Sequence, residues 1–135
     1  MKKRKAFTLA EVTIVVIIAG ILVSVVIPIV KGRIDAAKWS EGKVMMGSIA
    51  TSIRAYRAEK GPTGLAPTTL FIGATGLGFA AGDLTGNYFA DADFSFSVTT
   101  MDPLALTVTC TPATQAERPT NPASYQLNQD GIWTP

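Results

Sequence analysis

The acidic side chains of this chain are its main candidates for chemistry. Glu11 stands directly before residues 12–30, nineteen positions without a single charge. A carboxylate in that place can accept hydrogen bonds from the amides at a helix start, or it can pair with an amine. Farther along, Asp91, Asp93 and Asp130 lie in polar stretches, and carboxylate oxygens of this kind are ligands that calcium prefers.

Other reactive side chains are scarce. The chain has no histidine and one cysteine, Cys110. This composition excludes histidine bases, metal sites built from histidine and cysteine, and a disulfide within the chain. Neither a Ser/His/Asp triad nor a Cys/His pair can be assembled. We therefore predict that the protein is not an enzyme and that it has no cofactor.

The positive charge is concentrated at the N-terminus. Residues 2–5 carry four of the twelve positive charges, so the remaining eight bases face ten acidic residues. Past this cluster the bases are scattered and no aromatic stacking platform accompanies them, which is unlike a nucleic-acid-binding surface. We predict no nucleic-acid partner.

The uncharged run matches a membrane in length. As a helix, residues 12–30 would extend about 28 Å, close to the roughly 30 Å of a bilayer's hydrocarbon core. The run is too long for the apolar core of an ordinary secretory signal, and no Ala-x-Ala site follows it. Because the basic cluster precedes the run, the positive-inside rule favours a cytoplasmic N-terminus and an exported C-terminal part. An uncleaved membrane anchor fits these observations.

Two further features mark the start and the middle of this segment. Thr8 and Glu11 have the Thr-x-x-Glu spacing of a capping box, in which two side chains satisfy free amides at a helix start. Gly20 weakens a helix and Pro28 removes a backbone hydrogen bond from it. Membrane helices tolerate both residues for packing reasons, and both also allow the segment between them to loosen.

A basic leader, the small residue Ala6, the sequence Phe7-Thr8-Leu9-Ala10-Glu11 and the apolar run together resemble the N-terminal signal of type IV prepilins and type II secretion pseudopilins. The resemblance covers residues 1–30 and includes Gly20 and Pro28. It implies that a prepilin peptidase removes residues 1–6 by cutting between Ala6 and Phe7 and then methylates Phe7. The family usually has glycine where this chain has Ala6.

The resemblance also implies partners and a role for Glu11. The partners would be identical or homologous pilin subunits in a helical filament, the prepilin peptidase and an inner-membrane assembly platform. Glu11 would pair with the terminal amine of a neighbouring subunit during assembly, and Thr8 would support it as a cap. Major pseudopilins of this family can bind calcium near their C-terminal loops. Because residues 91–130 lack the ligand spacing of a dedicated calcium loop, we interpret Asp91, Asp93 and Asp130 as loop carboxylates, with calcium as the alternative.

Residues 31–60 predict an exported amphipathic helix. Met45, Ile49, Ile53 and Tyr56 recur at helical spacing, and Val44 broadens this apolar face. Gly61 and Pro62 are typical of a helix end.

Residues 61–135 predict a small β-rich head. Residues 63–87 are rich in Gly, Thr and Ala and predict an irregular connection, with a short helix or turn at 67–73. Alternating apolar residues at 94–98 and 104–110 predict an antiparallel pair, and 125–133 a second hairpin. We expect Cys110 to be a buried structural thiol. The predicted fold is α+β: a long N-terminal helix packed on a small C-terminal antiparallel sheet, as in pilins.

These features lead to one functional hypothesis and two alternatives. The hypothesis is a structural subunit of a type IV pilus-like filament, specifically a major-type pseudopilin of a type II secretion system. It would reside in the inner membrane with a single span and then enter a periplasmic pseudopilus. The alternatives are a pilin of a surface pilus, for adhesion, motility or DNA uptake, and a membrane protein with one span and a binding head that never polymerises.

Overall fold

The computed structural model describes residues 7–135 and confirms the α+β fold. One long helix precedes a two-stranded sheet and a four-stranded antiparallel sheet in the order β3-β4-β5-β6. The leader, residues 1–6, lies outside the described residues. The elements are α1 (Leu9–Lys60), β1 (Thr69–Phe71), β2 (Gly76–Phe79), a short 3₁₀ helix (Asp91–Asp93), β3 (Phe94–Met101), β4 (Leu104–Cys110), β5 (Tyr125–Asn128) and β6 (Trp133–Thr134).

The chain divides into two compact units between Ile34 and Asp35. In the first unit, the large apolar side chains of residues 12–30 keep 46–65% of their surface exposed. Pro28 lies inside α1, and helical structure continues on both sides of it. A Cβ added to Gly20 would meet nothing within 4 Å. Among the described residues, α1 is the one helix long and apolar enough to cross a membrane.

In the second unit, one face of α1 is buried and forms one side of the hydrophobic core. The buried positions on this face follow helical spacing, so a single stripe faces the sheet. They are Trp39, Gly42, Met46, Ile49, Ala50, Ile53 and Tyr56.

The predicted apolar face was wrong at two positions. Met46 is fully buried, whereas Met45 only packs against the edge of the core. Val44 is 73% exposed and does not broaden the buried stripe. Because one residue turns a helix by about 100°, consecutive apolar residues cannot share one narrow face.

The four-stranded sheet covers this stripe. β3 and β4 form the predicted antiparallel pair, with Phe94 opposite Cys110 and Val98 opposite Leu106, and β5 and β6 form the predicted second hairpin. The side chains of Leu106, Val108 and Cys110 alternate with half-buried neighbours and are buried. Cys110 is confirmed as a buried structural thiol, and burial raises its pKa to about 12.

Aromatic rings join the helix to the head. The Trp39 ring lies 5.2 Å from Phe89 and 4.7 Å from Tyr125, in the tilted and edge-on arrangements that aromatic quadrupoles favour. The Lys43 ammonium lies 4.3 Å from the centre of the Tyr125 ring, a cation–π contact. Close to this cluster, Gly42 lets the Phe89 ring approach the helix backbone.

The connection after α1 contains more regular structure than predicted. Thr69–Phe71 is a strand, where the sequence predicted a short helix or turn, and it pairs in parallel with Gly76–Phe79. The backbones approach so closely that the Phe71 carbonyl oxygen occupies the place where a side chain on Gly76 would begin. Glycine therefore allows the chain to turn back within four residues.

Two substitutions of the same kind test the packing of Gly42. A Cβ on Gly42 would lie 2.7 Å from the Phe89 ring, whereas one on Gly47 would meet nothing within 4 Å. Overpacking costs about 1–3 kcal/mol and the alanine recovers about 1 kcal/mol of helix propensity. We expect Gly42→Ala to lower the free energy of unfolding by about 1 kcal/mol and Gly47→Ala to raise it by about 0.5–1 kcal/mol. Urea unfolding of the full chain in detergent, followed by tryptophan fluorescence, measures both, and equal effects would contradict the packing of Phe89 on Gly42.

Candidate processing and assembly site

The start of α1 is closed by a complete capping box, as the sequence predicted. The Glu11 carboxylate accepts hydrogen bonds from the Thr8 amide and the Thr8 hydroxyl, both at 2.8 Å. In return the Glu11 amide donates to the Thr8 hydroxyl at 3.2 Å. Two amides that lack partners within the helix are thus satisfied by side chains, which defines the helix start at Leu9.

The residues around this cap are open to their surroundings. Phe7 precedes the helix with 85% of its surface exposed, and Leu9 is 87% exposed. Phe7 supplies the nitrogen of the predicted scissile bond, whereas Ala6, which supplies its carbonyl, lies outside the described residues. The cap therefore separates an exposed, non-helical Phe7 from the regular helix that begins two residues later.

The charge of Glu11 is not balanced by this cap. Both hydrogen-bond donors from Thr8 are neutral groups, and within residues 7–135 no cationic side chain forms an ion pair with Glu11. From Phe7 to Val30 it is also the only charged residue in the sequence. A carboxylate beside an apolar run is costly unless an opposite charge approaches it. The arrangement thus provides an acceptor for a cation supplied from outside the described residues.

A comparison with protein families bears directly on this site. Residues 1–27 match the prokaryotic N-terminal methylation motif. The motif is the prepilin signature of type IV pilins and pseudopilins, which confirms the resemblance found in the sequence. It supports a type IV pilin-like subunit rather than an enzyme, and with the apolar helix it fits a pilin anchored in the inner membrane.

The match covers the methylation motif and none of the head. No curated protein and no solved structure matches the chain significantly.

The acidic residues of the head are used within the head itself. Asp91 accepts hydrogen bonds from the amides of Gly82 and Leu84 at 2.6 and 3.0 Å. Asp93 is buried and accepts from the amides of Ala90, Ala113 and Thr114 and from the Thr114 hydroxyl, at 2.8–3.1 Å. The two carboxylates thus hold the loops on either side of the 3₁₀ helix.

The candidate calcium ligands do not converge. Asp130 is exposed on the turn between β5 and β6 and accepts from the Gln129 side chain. Within the described part of the chain, no three residues of the types His, Cys, Asp and Glu are placed to hold a metal ion together.

Sequence reasoning missed a third anchoring carboxylate, Asp35. Asp35 accepts hydrogen bonds from the Thr120 amide at 3.3 Å, from its hydroxyl at 2.9 Å and from the Asn121 amide at 3.0 Å. Nearby, Lys38 donates to the Glu117 carbonyl at 2.7 Å. These contacts fasten the loop between β4 and β5 to α1. The signal was present in the spacing, because Asp35 lies on the same helical face as Trp39 and Gly42.

The hydrogen bonds of the buried Asp93 carboxylate determine how the free energy of unfolding depends on pH. Burial raises its pKa, but hydrogen bonds from Ala113, Ala90 and Thr114 outweigh burial and hold the pKa below the ordinary 3.8. Asp93 therefore stabilises the fold fully above pH 3.8, and its contribution disappears as the pH falls from there through the lower pKa of the folded state. At pH 7 we expect Asp93→Asn to lower the unfolding free energy by about 1–3 kcal/mol.

The matched control is Asp130→Asn, which changes an exposed carboxylate in the same way. We expect an effect within about 0.5 kcal/mol. Urea unfolding between pH 7 and pH 3 should show a smaller acid-induced loss for Asp93→Asn than for the wild type. Parallel pH curves for the two proteins would refute the role assigned to Asp93.

Proposed function

We propose that the protein is a structural subunit of a type IV pilus-like filament. One observation carries the proposal: the methylation motif coincides with a capped helix whose apolar side chains have no partner among the described residues. A processing signal alone would suit any cleaved membrane protein. An apolar helix with a carboxylate in its first turn and no counter-ion among the described residues suits a chain whose partner is another copy of itself.

Leader removal would create the charge that Glu11 lacks. Hydrolysis between Ala6 and Phe7 leaves an amine on Phe7, and methylation keeps that amine positive. In a growing filament the amine of one subunit would approach Glu11 of a neighbour, where the apolar surroundings strengthen their attraction and the pairing relieves each charge. A head-to-tail contact of this kind does not close on itself, and it therefore produces a filament.

Within this class we propose a major-type pseudopilin of a type II secretion system. The head is small, and with a single cysteine it cannot form the disulfide that closes the C-terminal loop of many surface pilins. Glu11 is present, whereas tip-type pseudopilins lack this acid. The proposed route is single-span insertion with the N-terminus in the cytoplasm, leader removal, and assembly by an inner-membrane platform into a periplasmic filament. A surface pilin is the alternative.

Processing is the first test of the proposal. In cells that contain a prepilin peptidase, we expect the mature chain to begin at Phe7 and to carry one added methyl group. Intact-mass measurement and N-terminal sequencing of membrane and filament fractions detect both changes, and a strain without the peptidase is the control. Assembled material that still begins at Met1 would contradict the proposed function.

Glu11→Gln separates the two roles of the carboxylate. Glutamine keeps an oxygen that can accept the Thr8 hydrogen bonds, so the cap is retained while the charge is lost. Removing one partner of a buried ion pair costs about 3–5 kcal/mol. We therefore expect the filament yield to fall at least about tenfold while membrane insertion persists.

The control for this experiment is Glu59→Gln, the same substitution at an exposed position of α1. It should leave the filament yield unchanged. Sheared filaments are quantified by immunoblotting against the membrane fraction. If Glu11→Gln assembles normally, the carboxylate acts as a helix cap alone and the pairing role is wrong.

A further inference from the structure

We propose that Thr8 is a positioning residue for leader cleavage, because its cap begins α1 after the scissile bond and keeps that bond out of the helix. The inference rests on the proposed function, namely that a peptidase cuts between Ala6 and Phe7. It adds to that function a determinant of how well the precursor serves as a substrate.

The cap is positioned directly beside the predicted cut. Helical structure begins at Leu9, and both Phe7 and Thr8 precede it. The Thr8 hydroxyl takes part in two of the three hydrogen bonds of the capping box, one as acceptor and one as donor. The match to the methylation motif is an independent observation. It covers residues 1–27, which include both the cap and the predicted cut.

The leader itself contains no residue that breaks a helix. Residues 1–6 are methionine, lysine, arginine and alanine, which are among the strongest helix formers, and no glycine or proline occurs before Gly20. Without a cap, a helix tends to propagate into such a sequence, because each added residue gains a backbone hydrogen bond. Thr8 is therefore the residue at which the sequence sets the helix start.

Cleavage benefits from a non-helical bond. Hydrolysis breaks the C–N bond between Ala6 and Phe7 and adds water across it, leaving a carboxylate on Ala6 and an amine on Phe7. Inside a helix the carbonyl of that bond would be engaged by an amide four residues on and crowded by the adjacent turns. A peptidase can bind and attack it only in molecules where this turn is open. The fraction of such molecules scales the apparent affinity for the substrate.

Ala6 increases the importance of Thr8. Glycine in a helix is about fivefold less favourable than alanine, so a glycine before the cut would by itself discourage a helix there. This chain has alanine, the strongest helix former, at that position. The capping box must therefore set the start of the helix.

The test measures cleavage of the full-length precursor in liposomes by a purified prepilin peptidase. Thr8→Ala removes the hydroxyl. Loss of an N-cap of this kind changes the equilibrium constant between a helix that begins at Leu9 and a longer helix by about fivefold. We expect KM to rise about two- to fivefold with kcat unchanged, because fewer molecules are competent while the reacting groups are untouched. Thr8→Ser, which keeps the cap, should restore the wild-type KM.

The matched control is Thr13→Ala, which removes a threonine hydroxyl that donates to the Leu9 carbonyl at 2.8 Å and takes no part in the cap. It should cleave like the wild type. Amide hydrogen exchange on the uncut precursors provides a second measurement. A longer helix would engage the amides of Leu9 and Ala10 with carbonyls four residues earlier, so Thr8→Ala should protect these two amides and Thr13→Ala should not.

A double-mutant cycle with Ala6→Gly separates helix effects from direct recognition of residue 6. If both residues act through the helix, Ala6→Gly should improve KM more in the Thr8→Ala background than in the wild type. The inference would be overturned if Ala6→Gly improved KM by the same factor in both backgrounds, or if Thr8→Ala left KM unchanged. In either case, cleavage of the wild type before Phe7 would leave the proposed function intact. Absence of cleavage in the wild type would contradict the proposed function itself.

Discussion

Nineteen consecutive uncharged residues must be kept from water, and along residues 12–30 their large side chains are not covered by other described residues of their own unit. The large side chains of residues 12–30 remain about half exposed along α1, so lipid or neighbouring helices must surround them. Because lipid is about as apolar as leucine, exchanging lipid for helices yields little net hydrophobic gain. In the proposed filament the direction and register of assembly would then come from something polar, and Glu11 is the one charged residue from Phe7 to Val30.

The same helix serves a different purpose beyond Ile34. There its buried face packs beneath the sheet, with Trp39 against Phe89 and Tyr125. Polar contacts fasten the loops on either side of this core: Asp35 holds the loop before β5, and Arg57 donates to the Met101 carbonyl at 2.6 Å beside the turn between β3 and β4. The head could not bury its sheet without the helix, because a four-stranded sheet needs an apolar layer against one face. Apolar side chains are thus exposed along the first part of α1 and covered by the head along the second.

Local patterns predicted most of the fold. The period-two alternation in β3 and β4 and the Thr-x-x-Glu spacing at Thr8 each depend on near neighbours, and both were confirmed. Prediction failed where distant residues decide the outcome. The choice of Met46 over Met45 depends on where the sheet lies, and the parallel pairing of β1 with β2 depends on a close approach at Gly76. The hydrogen bonds of Asp93 reach across twenty residues to Ala113 and Thr114. No local spacing reveals them.

Cys110 has a practical consequence for studying how copies of this chain meet. It is the only thiol in the sequence and is fully buried. Burial raises its pKa to about 12, far above neutral pH, so the thiolate, which is the reactive form, is scarce at pH 7. The native chain is therefore nearly inert to maleimides and to thiol oxidants. A single cysteine introduced on the surface would be the one site that reacts, so crosslinks between subunits could be mapped position by position without first removing a native thiol.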